Sequence, residues 1–114
     1  NMTIKVGEKG QPFRIATGYD MSSSTALSIK FTKPDATTFT VTNLTTPAVS
    51  APAVALTNDP ELGSVAASTY FEYTTDGTEF DIAGTNWTAC GVFTTAALVL
   101  EANEVTFTIG ASCL

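Results

Sequence analysis

Acidic side chains are the groups in this sequence whose spacing could support chemistry. They form two clusters, one at Asp59 and Glu61 and the other at Asp76, Glu79 and Asp81. Calcium takes about six to eight oxygen ligands, and neither cluster supplies that number alone. The second cluster also contains an Asp-Gly pair, which favours a tight β-turn. Glycoside hydrolysis by paired carboxylates would need a cleft that a small β domain rarely provides. The sequence therefore predicts no bound metal.

The 114 residues include no histidine. This removes the most common general base, the usual base of a catalytic triad and the usual zinc ligand. The serines of Ser22–Ser24 have no base partner in the sequence and are typical of a polar turn. We therefore predict that the protein is not an enzyme and uses no cofactor.

Cys90 and Cys113 are the two cysteines of the chain. Their spacing matches no metal-binding or redox motif, and a cysteine in a strand is usually a small buried apolar residue. A Cys90–Cys113 disulfide is left open, because its formation depends on a geometry that sequence does not reveal.

Positive charge is confined to the start of the chain. The first 33 residues carry a formal charge of +3 from five cations and two acids, whereas residues 34–114 carry nine of the eleven acids and no base. A surface divided in this way can attract copies of itself or an oppositely charged partner. The cations are Lys5, Lys9, Arg14, Lys30 and Lys33.

The composition excludes two kinds of partner. Five cations without interleaved aromatic residues are a weak basis for binding nucleic acid. No apolar run approaches the roughly 18 residues that cross a bilayer, and the N-terminus has no signal-like apolar region.

Charged residues make up only 14% of the chain. A surface so poor in charge is either partly covered by a neighbouring molecule or a plain threonine-rich strand surface.

Alternation of apolar and polar residues predicts short β-strands throughout the chain. About seven to eight strands separated by turns favour a single immunoglobulin-like β-sandwich over residues 1–114, with a small β-barrel as the alternative. The clearest strands are Leu27–Phe31, Thr38–Val41, Tyr70–Thr74, Trp87–Phe93 and Val105–Ile109, with shorter ones at Ile4–Val6, Phe13–Ile15 and Phe80–Ile82.

Two segments between strands have distinctive compositions. Lys33-Pro34-Asp35 predicts a hairpin turn, although Ala36 follows at a position where glycine would relax it. Residues 45–55 contain two prolines and no charge, which favours an edge, an extended arm or a polyproline-like loop. Such a segment could pack against a neighbouring molecule or against its own domain.

Aromatic residues divide between core and surface. Trp87 alternates with small residues on one face of its strand, a pattern that predicts burial. Tyr19, Tyr70 and Tyr73 are the candidates for an exposed platform that would bind sugars.

Several of these segments together resemble small immunoglobulin-like virion proteins of tailed bacteriophages. In that family a strand, Lys/Arg-Pro-Asp-Gly, strand hairpin recurs, as does a Gly-Thr-Trp/Tyr-Thr-Val strand near the C-terminus. The sequence departs from the pattern at Ala36, where glycine is usual, and at Asn86, which is inserted in the Gly-Thr-Trp run. The matching segments are Gly18–Asp20, Leu27–Asp35, Thr38–Val41, Ala83–Phe93 and Val105–Gly110.

The resemblance implies a structural subunit of a phage virion, assembled in the host cytoplasm. We expect a capsid decoration or accessory protein that binds neighbouring virion proteins and copies of itself. Lys5, Lys9 and Arg14 would dock on an acidic neighbour, and Val49 and Val54 would make apolar contacts. The alternatives are a tail, baseplate or surface module that binds host carbohydrate or the cell surface, and a calcium-stabilised surface repeat.

Overall fold

A computed structural model describes residues 4–114 of the chain. They form an all-β fold of ten antiparallel strands in open sheets, which confirms the predicted class. The strands are β1 (Lys9–Ala16), β2 (Ala26–Thr32), β3 (Thr38–Thr42), β4 (Val49–Ser50), β5 (Leu56–Asp59), β6 (Gly63–Val65), β7 (Tyr70–Asp76), β8 (Gly84–Thr94), β9 (Val99–Glu101) and β10 (Val105–Ile109).

The larger sheet has five strands, in the order β10-β8-β2-β3, with β9 also paired to β8. β8 is the longest strand, with eleven residues, and it is central to the sheet. One edge of β8 pairs with β2. β9 and β10 follow each other along the opposite edge, β9 beside Val92–Thr94 and β10 beside Gly84–Ala89. The predicted hairpin between β2 and β3 is confirmed by their antiparallel register.

The second sheet has three strands in the order β1-β7-β4, and β5 and β6 form a separate two-stranded hairpin. The N-terminal segment joins the larger sheet through a parallel bridge between Lys5 and Gly110. The Val6 amide donates to the Gly110 carbonyl at 2.9 Å, and the Gly110 amide donates to the Ile4 carbonyl at 2.9 Å.

Side chains from both of these sheets meet in one apolar core. Phe31 of the larger sheet is fully buried, and its ring centroid lies 5.1 Å from that of Phe13 in the smaller sheet. The predicted inward positions are confirmed in β2, β8 and β10. Among the buried residues are Ile29, Phe31, Trp87, Ala89, Phe93 and Ile109.

Two expectations about the fold need correction. No sheet formed by residues 4–114 closes on itself, so the alternative of a small barrel is wrong. The predicted number of seven to eight strands is also wrong, because ten form in the described part of the chain and residues 80–82 are not among them. The additional strands β4, β5, β6 and β9 have only two to four residues each. Alternation cannot be recognised over so short a run, and tertiary pairing alone makes these segments extended.

Residues 45–55, predicted to pack either against a neighbouring molecule or against their own domain, pack against their own domain. Val49 is buried and pairs with Tyr73 of β7. The Pro52 carbonyl accepts a hydrogen bond from the Ser68 amide at 2.8 Å, and the Val54 carbonyl accepts one from Tyr70 Oη at 2.8 Å. The Val54 side chain is 67% exposed. Of the two valines expected to contact a neighbour, Val49 and Val54, only Val54 therefore faces outward.

Candidate interaction surfaces

The acidic cluster at 76–81 builds a turn. The Glu79 carboxylate accepts hydrogen bonds from the Asp76 amide at 2.9 Å, from the Gly77 amide at 3.2 Å and from Tyr73 Oη at 2.6 Å. Asp76 Oδ1 accepts from the Thr78 amide and hydroxyl at 2.9 and 2.7 Å. Burial raises the pKa of Tyr73, and the hydrogen bond to Glu79 raises it further. The carboxylates therefore order the loop after β7.

Asp59 and Asp81 also have partners within the chain. Asp81 Oδ1 lies 2.9 Å from Lys33 Nζ. Asp59 accepts hydrogen bonds from the Leu62 and Glu61 amides at 2.9 and 3.1 Å, and these bonds hold the pKa of its carboxyl below 3.8. Within residues 4–114, no group of three or more acidic or cysteine side chains is arranged to hold a metal ion. The same residues contain no helix long and apolar enough to cross a membrane.

The aromatic residues leave little for a sugar platform. Trp87 is fully buried, as predicted. Tyr70 and Tyr73 are also buried, each only 2% exposed, so the expectation that they face solvent is wrong. Tyr73 shares the inward face of β7 with Phe71, a period-2 relationship visible in the sequence. Only Tyr19 of the three candidates is open, at 49%, and its ring packs 5.8 Å from that of Phe93.

Both cysteines are free in the structure, so the bridge left open by the sequence is not formed. Cys90 Sγ lies in β8, 3.5 Å from the Ala102 carbonyl and 4.0 Å from Glu101 Oε1. Burial raises the pKa of the Cys90 thiol, and the charge of Glu101 adds to that effect. Cys113 is exposed and accepts a hydrogen bond from Lys5 Nζ at 3.5 Å.

Arg14 has an internal role that its position in the sequence did not reveal. Its Nε lies 2.7 Å from Glu72 Oε2 in β7, and its Nη1 lies 3.1 Å from Asp59 Oδ1 in the β5–β6 hairpin. The planar guanidinium suits such a two-sided contact. Because its side chain is only 26% exposed and both partners belong to the same chain, the Arg14 charge is already paired within the domain.

The remaining two predicted docking cations are exposed but do not form a single cluster with Arg14. Lys9 pairs in register with Asp76 at the start of β1. A strand rises about 3.3 Å per residue, so Lys9 lies about 16 Å from Arg14 along β1. The Lys5 amide donates to Glu8 Oε1 at 2.6 Å, which sets an acid beside this lysine. The N-terminal charge seen in the sequence is therefore dispersed and partly neutralised.

A surface that sequence reasoning did not single out is the outer side of the five-stranded sheet. Alternate residues of its strands point away from the core and are exposed or half-buried. We call this surface the threonine face. It comprises Ala26, Ser28, Lys30, Thr32, Thr38, Thr40, Thr42, Thr88, Cys90, Val92, Thr94, Val99, Glu101, Thr106 and Thr108. Only Lys30 and Glu101 of this set carry charge.

One end of the threonine face is apolar. Leu44 is 88% exposed just beyond β3, and Leu98 and Val99 are 54% and 68% exposed at the start of β9. Between them is a depression of about 210 Å³. Its lining residues are Ala26, Leu27, Ser28, Thr42, Asn43, Leu44, Val92 and Thr94. Exposed leucine and valine side chains around an uncharged hollow are typical of a contact surface for another protein.

Comparison of the chain with protein-family models, with curated proteins and with solved structures found no match. Function is therefore inferred from the surfaces described above and from the resemblance in the sequence. The threonine face offers a flat, weakly charged surface for protein contact, whereas Lys5, Lys9 and Val54 offer smaller exposed features elsewhere.

Proposed function

We propose that this chain is a non-enzymatic structural subunit of a tailed-bacteriophage virion. In this proposal it is a capsid decoration or accessory protein that binds neighbouring virion proteins after assembly in the host cytoplasm. The threonine face is the observation that carries the proposal. A free monomer gains solubility from charged residues spread over its surface, whereas a wide sheet face with two charges is better suited to repeated protein contacts.

The strand order supports the immunoglobulin-like form of β-sandwich. The sheets β4-β7-β1 and β3-β2-β8-β10 correspond to strands D-E-B and C′-C-F-G of that fold. Consecutive strands β1 and β2 belong to different sheets, as do β7 and β8. The chain departs from antibody domains in carrying its buried tryptophan, Trp87, on β8 rather than on β2. It also lacks a disulfide between the sheets within residues 4–114.

The side-chain chemistry supports a binding role. Four of the five acids in the two sequence clusters, all except the exposed Glu61, already accept hydrogen bonds or form ion pairs inside the chain. Because Tyr70 and Tyr73 are buried, a carbohydrate-binding tail module could use only Tyr19 as an exposed tyrosine among residues 4–114. Protein contact through broad surfaces therefore suits the described residues better than recognition of a sugar.

The proposal is tested on phage particles purified on a density gradient from a lysate that contains this chain. Peptide mass spectrometry should find the chain at a constant ratio to the major capsid subunit across the particle peak. A chain that stays in the soluble fractions, or whose ratio varies freely, would contradict a structural role.

A second measurement concerns the exposed lysines. Purified protein added to particles that lack it should bind in a saturable manner. Exchange of Lys5 and Lys9 for glutamine should weaken this binding at low salt if the cations dock on an acidic neighbour. The matched control is exchange of Glu61, an exposed acid of the β5–β6 hairpin, for glutamine. Equal binding by both variants would remove the lysines from the interface and leave the particle association itself intact.

A further inference from the structure

We propose that the threonine face is a self-association surface, on which a second copy of this chain docks face to face. The two copies would be related by a two-fold axis that runs nearly along β8. This inference goes beyond the proposed virion function, because it specifies a dimer and its contact surface whatever particle the chain belongs to. It rests on the arrangement of charge and of apolar residues on either side of β8.

Charge is self-complementary about β8. Lys30 lies on β2 in register with Cys90, on one side of β8. Glu101 lies on β9, on the other side, in register with Val92, and its carboxylate extends along β8 towards Cys90, with Oε1 4.0 Å from Cys90 Sγ. The Glu101 carboxylate and Lys30 therefore lie at nearly the same height along β8, each one strand away from it. A two-fold axis along β8 exchanges these two positions and sets Lys30 of each copy over Glu101 of the other.

The same axis also matches the apolar end of the face. Ala26 on β2 and Val99 on β9 both pair in register with Thr94 of β8. They therefore lie at the same height on opposite sides of β8. Rotation about β8 brings Ala26 of one copy over Val99 of the other, and it brings the exposed Leu44 beside the Leu98–Val99 corner. One operation thus satisfies two independent requirements of an isologous interface.

The size of the face limits the affinity. Strands about 4.8 Å apart and five to seven residues long give a surface of about 20 Å by about 20 Å. Two such faces bury about 800 Å² in total, which is below the roughly 1,200–2,000 Å² of stable interfaces and in the range of weak, transient ones. We therefore expect a dissociation constant of roughly 10 µM to 1 mM, which becomes important where many copies are held close together.

The test is sedimentation velocity over protein concentrations from about 10 µM to about 1 mM. Wild type should shift from monomer to dimer. Lys30→Glu or Glu101→Lys alone should weaken the dimer by about tenfold or more, because each places like charges together twice. The double variant Lys30→Glu with Glu101→Lys should restore it. Lys9→Glu and Glu61→Lys are the matched controls, with the same charge changes far from the face, and they should dimerise as wild type does.

Val92→Arg provides a second variant, since Val92 lies on β8 close to the proposed axis. It should remain monomeric at every concentration while keeping the melting temperature within a few degrees of wild type. Three results would overturn the proposal: a wild type that stays monomeric, single reversals that dimerise normally, and a double reversal that fails to restore the dimer. Each of these leaves the particle ratio proposed above unaffected, so the two proposals can fail separately.

Discussion

Gly91 of β8 faces the ring of Phe71 in β7 across the core between the two sheets. A Cβ atom at position 91 would lie 2.5 Å from Phe71 Cε2 and 2.8 Å from Cδ2. Phe71 is fully buried, and in a close-packed core its ring can move only by displacing its neighbours. The absence of a side chain at position 91 therefore determines how closely the two sheets approach.

We predict that Gly91→Ala lowers the free energy of unfolding by about 2–3 kcal/mol through overpacking. Urea denaturation followed by tryptophan fluorescence measures the change. Gly84→Ala in the same strand is the control, since its Cβ would meet only the side chain of Pro34, at 3.1 Å from Cγ and 3.7 Å from Cβ. The Phe71→Leu exchange, combined with Gly91→Ala, should recover part of the loss. Equal stability of Gly91→Ala and wild type would contradict this account of the sheet contact.

The hairpin turn between β2 and β3 contains a strained residue. Ala36 has a φ of +71°, in the left-handed region that an alanine enters only at a cost of about 1 kcal/mol or more. We predict that Ala36→Gly raises the free energy of unfolding by up to about 1 kcal/mol, the relief of strain being partly offset by the flexibility of glycine in the unfolded chain. Thermal unfolding should show a higher midpoint.

The control for this substitution is Ala83→Gly. Ala83 is exposed and is not among the described residues with positive φ. Glycine there should lower stability by about 0.5–1 kcal/mol, since only the unfolded chain gains freedom. If both glycine variants lose stability, the turn does not strain Ala36.

Arg14 joins the β5–β6 hairpin to the three-stranded sheet. Replacement by glutamine leaves Asp59 and Glu72, whose side chains are 10% and 26% exposed, without their cation. We predict a loss of about 1–2 kcal/mol in the free energy of unfolding, and a smaller loss for Arg14→Lys, which can serve only one carboxylate at a time. Hydrogen exchange should rise in residues 56–65.

Lys33→Gln is the comparison for Arg14. The Lys33 partner, Asp81, is 53% exposed, and an exposed pair contributes only about 0–1 kcal/mol. If amide hydrogen exchange in the β5–β6 hairpin is equally fast in Arg14→Gln and in Lys33→Gln, Arg14 does not hold the hairpin against the sheet.

Acid should destabilise the protein through turn carboxylates. The pKa of Asp35 is lowered from 3.8 by hydrogen bonds from the Thr37 hydroxyl and amide, and that of Asp59 is lowered mainly by the Leu62 amide. Because the folded chain then binds fewer protons than the unfolded chain, this stabilisation is complete above pH 3.8 and is lost as the pH falls through the folded-state pKa values.

Urea midpoints measured from about pH 6 down to about pH 2 test this dependence. The double variant Asp35→Asn with Asp59→Asn should show a shallower decrease in stability below pH 3.8 than wild type. Identical slopes would mean that these two carboxyls do not contribute to acid unfolding. The double variant measured at pH 6 provides the reference for any loss that is independent of protonation.

Local alternation was enough to locate the principal strands and their inward faces. Ile29, Phe31, Trp87 and Phe93 could be assigned to a core because a strand turns successive side chains to opposite sides. The β2–β3 turn and its unusual alanine were also visible, since Pro-Asp sequences have intrinsic turn preferences. These features depend on interactions between residues close together in the chain.

Tertiary contacts decided the rest. The sequence grouped Arg14 with Lys5 and Lys9 by charge, but folding brings Asp59 from 45 positions away to pair with it. Val49 became a core residue because β7 lies beside it. The threonine face exists only because β3, β2, β8 and β9 assemble side by side, which brings Lys30 and Glu101 to opposite sides of one strand. Pairings between distant segments leave no periodic trace in sequence, and so the surfaces they create emerge only in the folded chain.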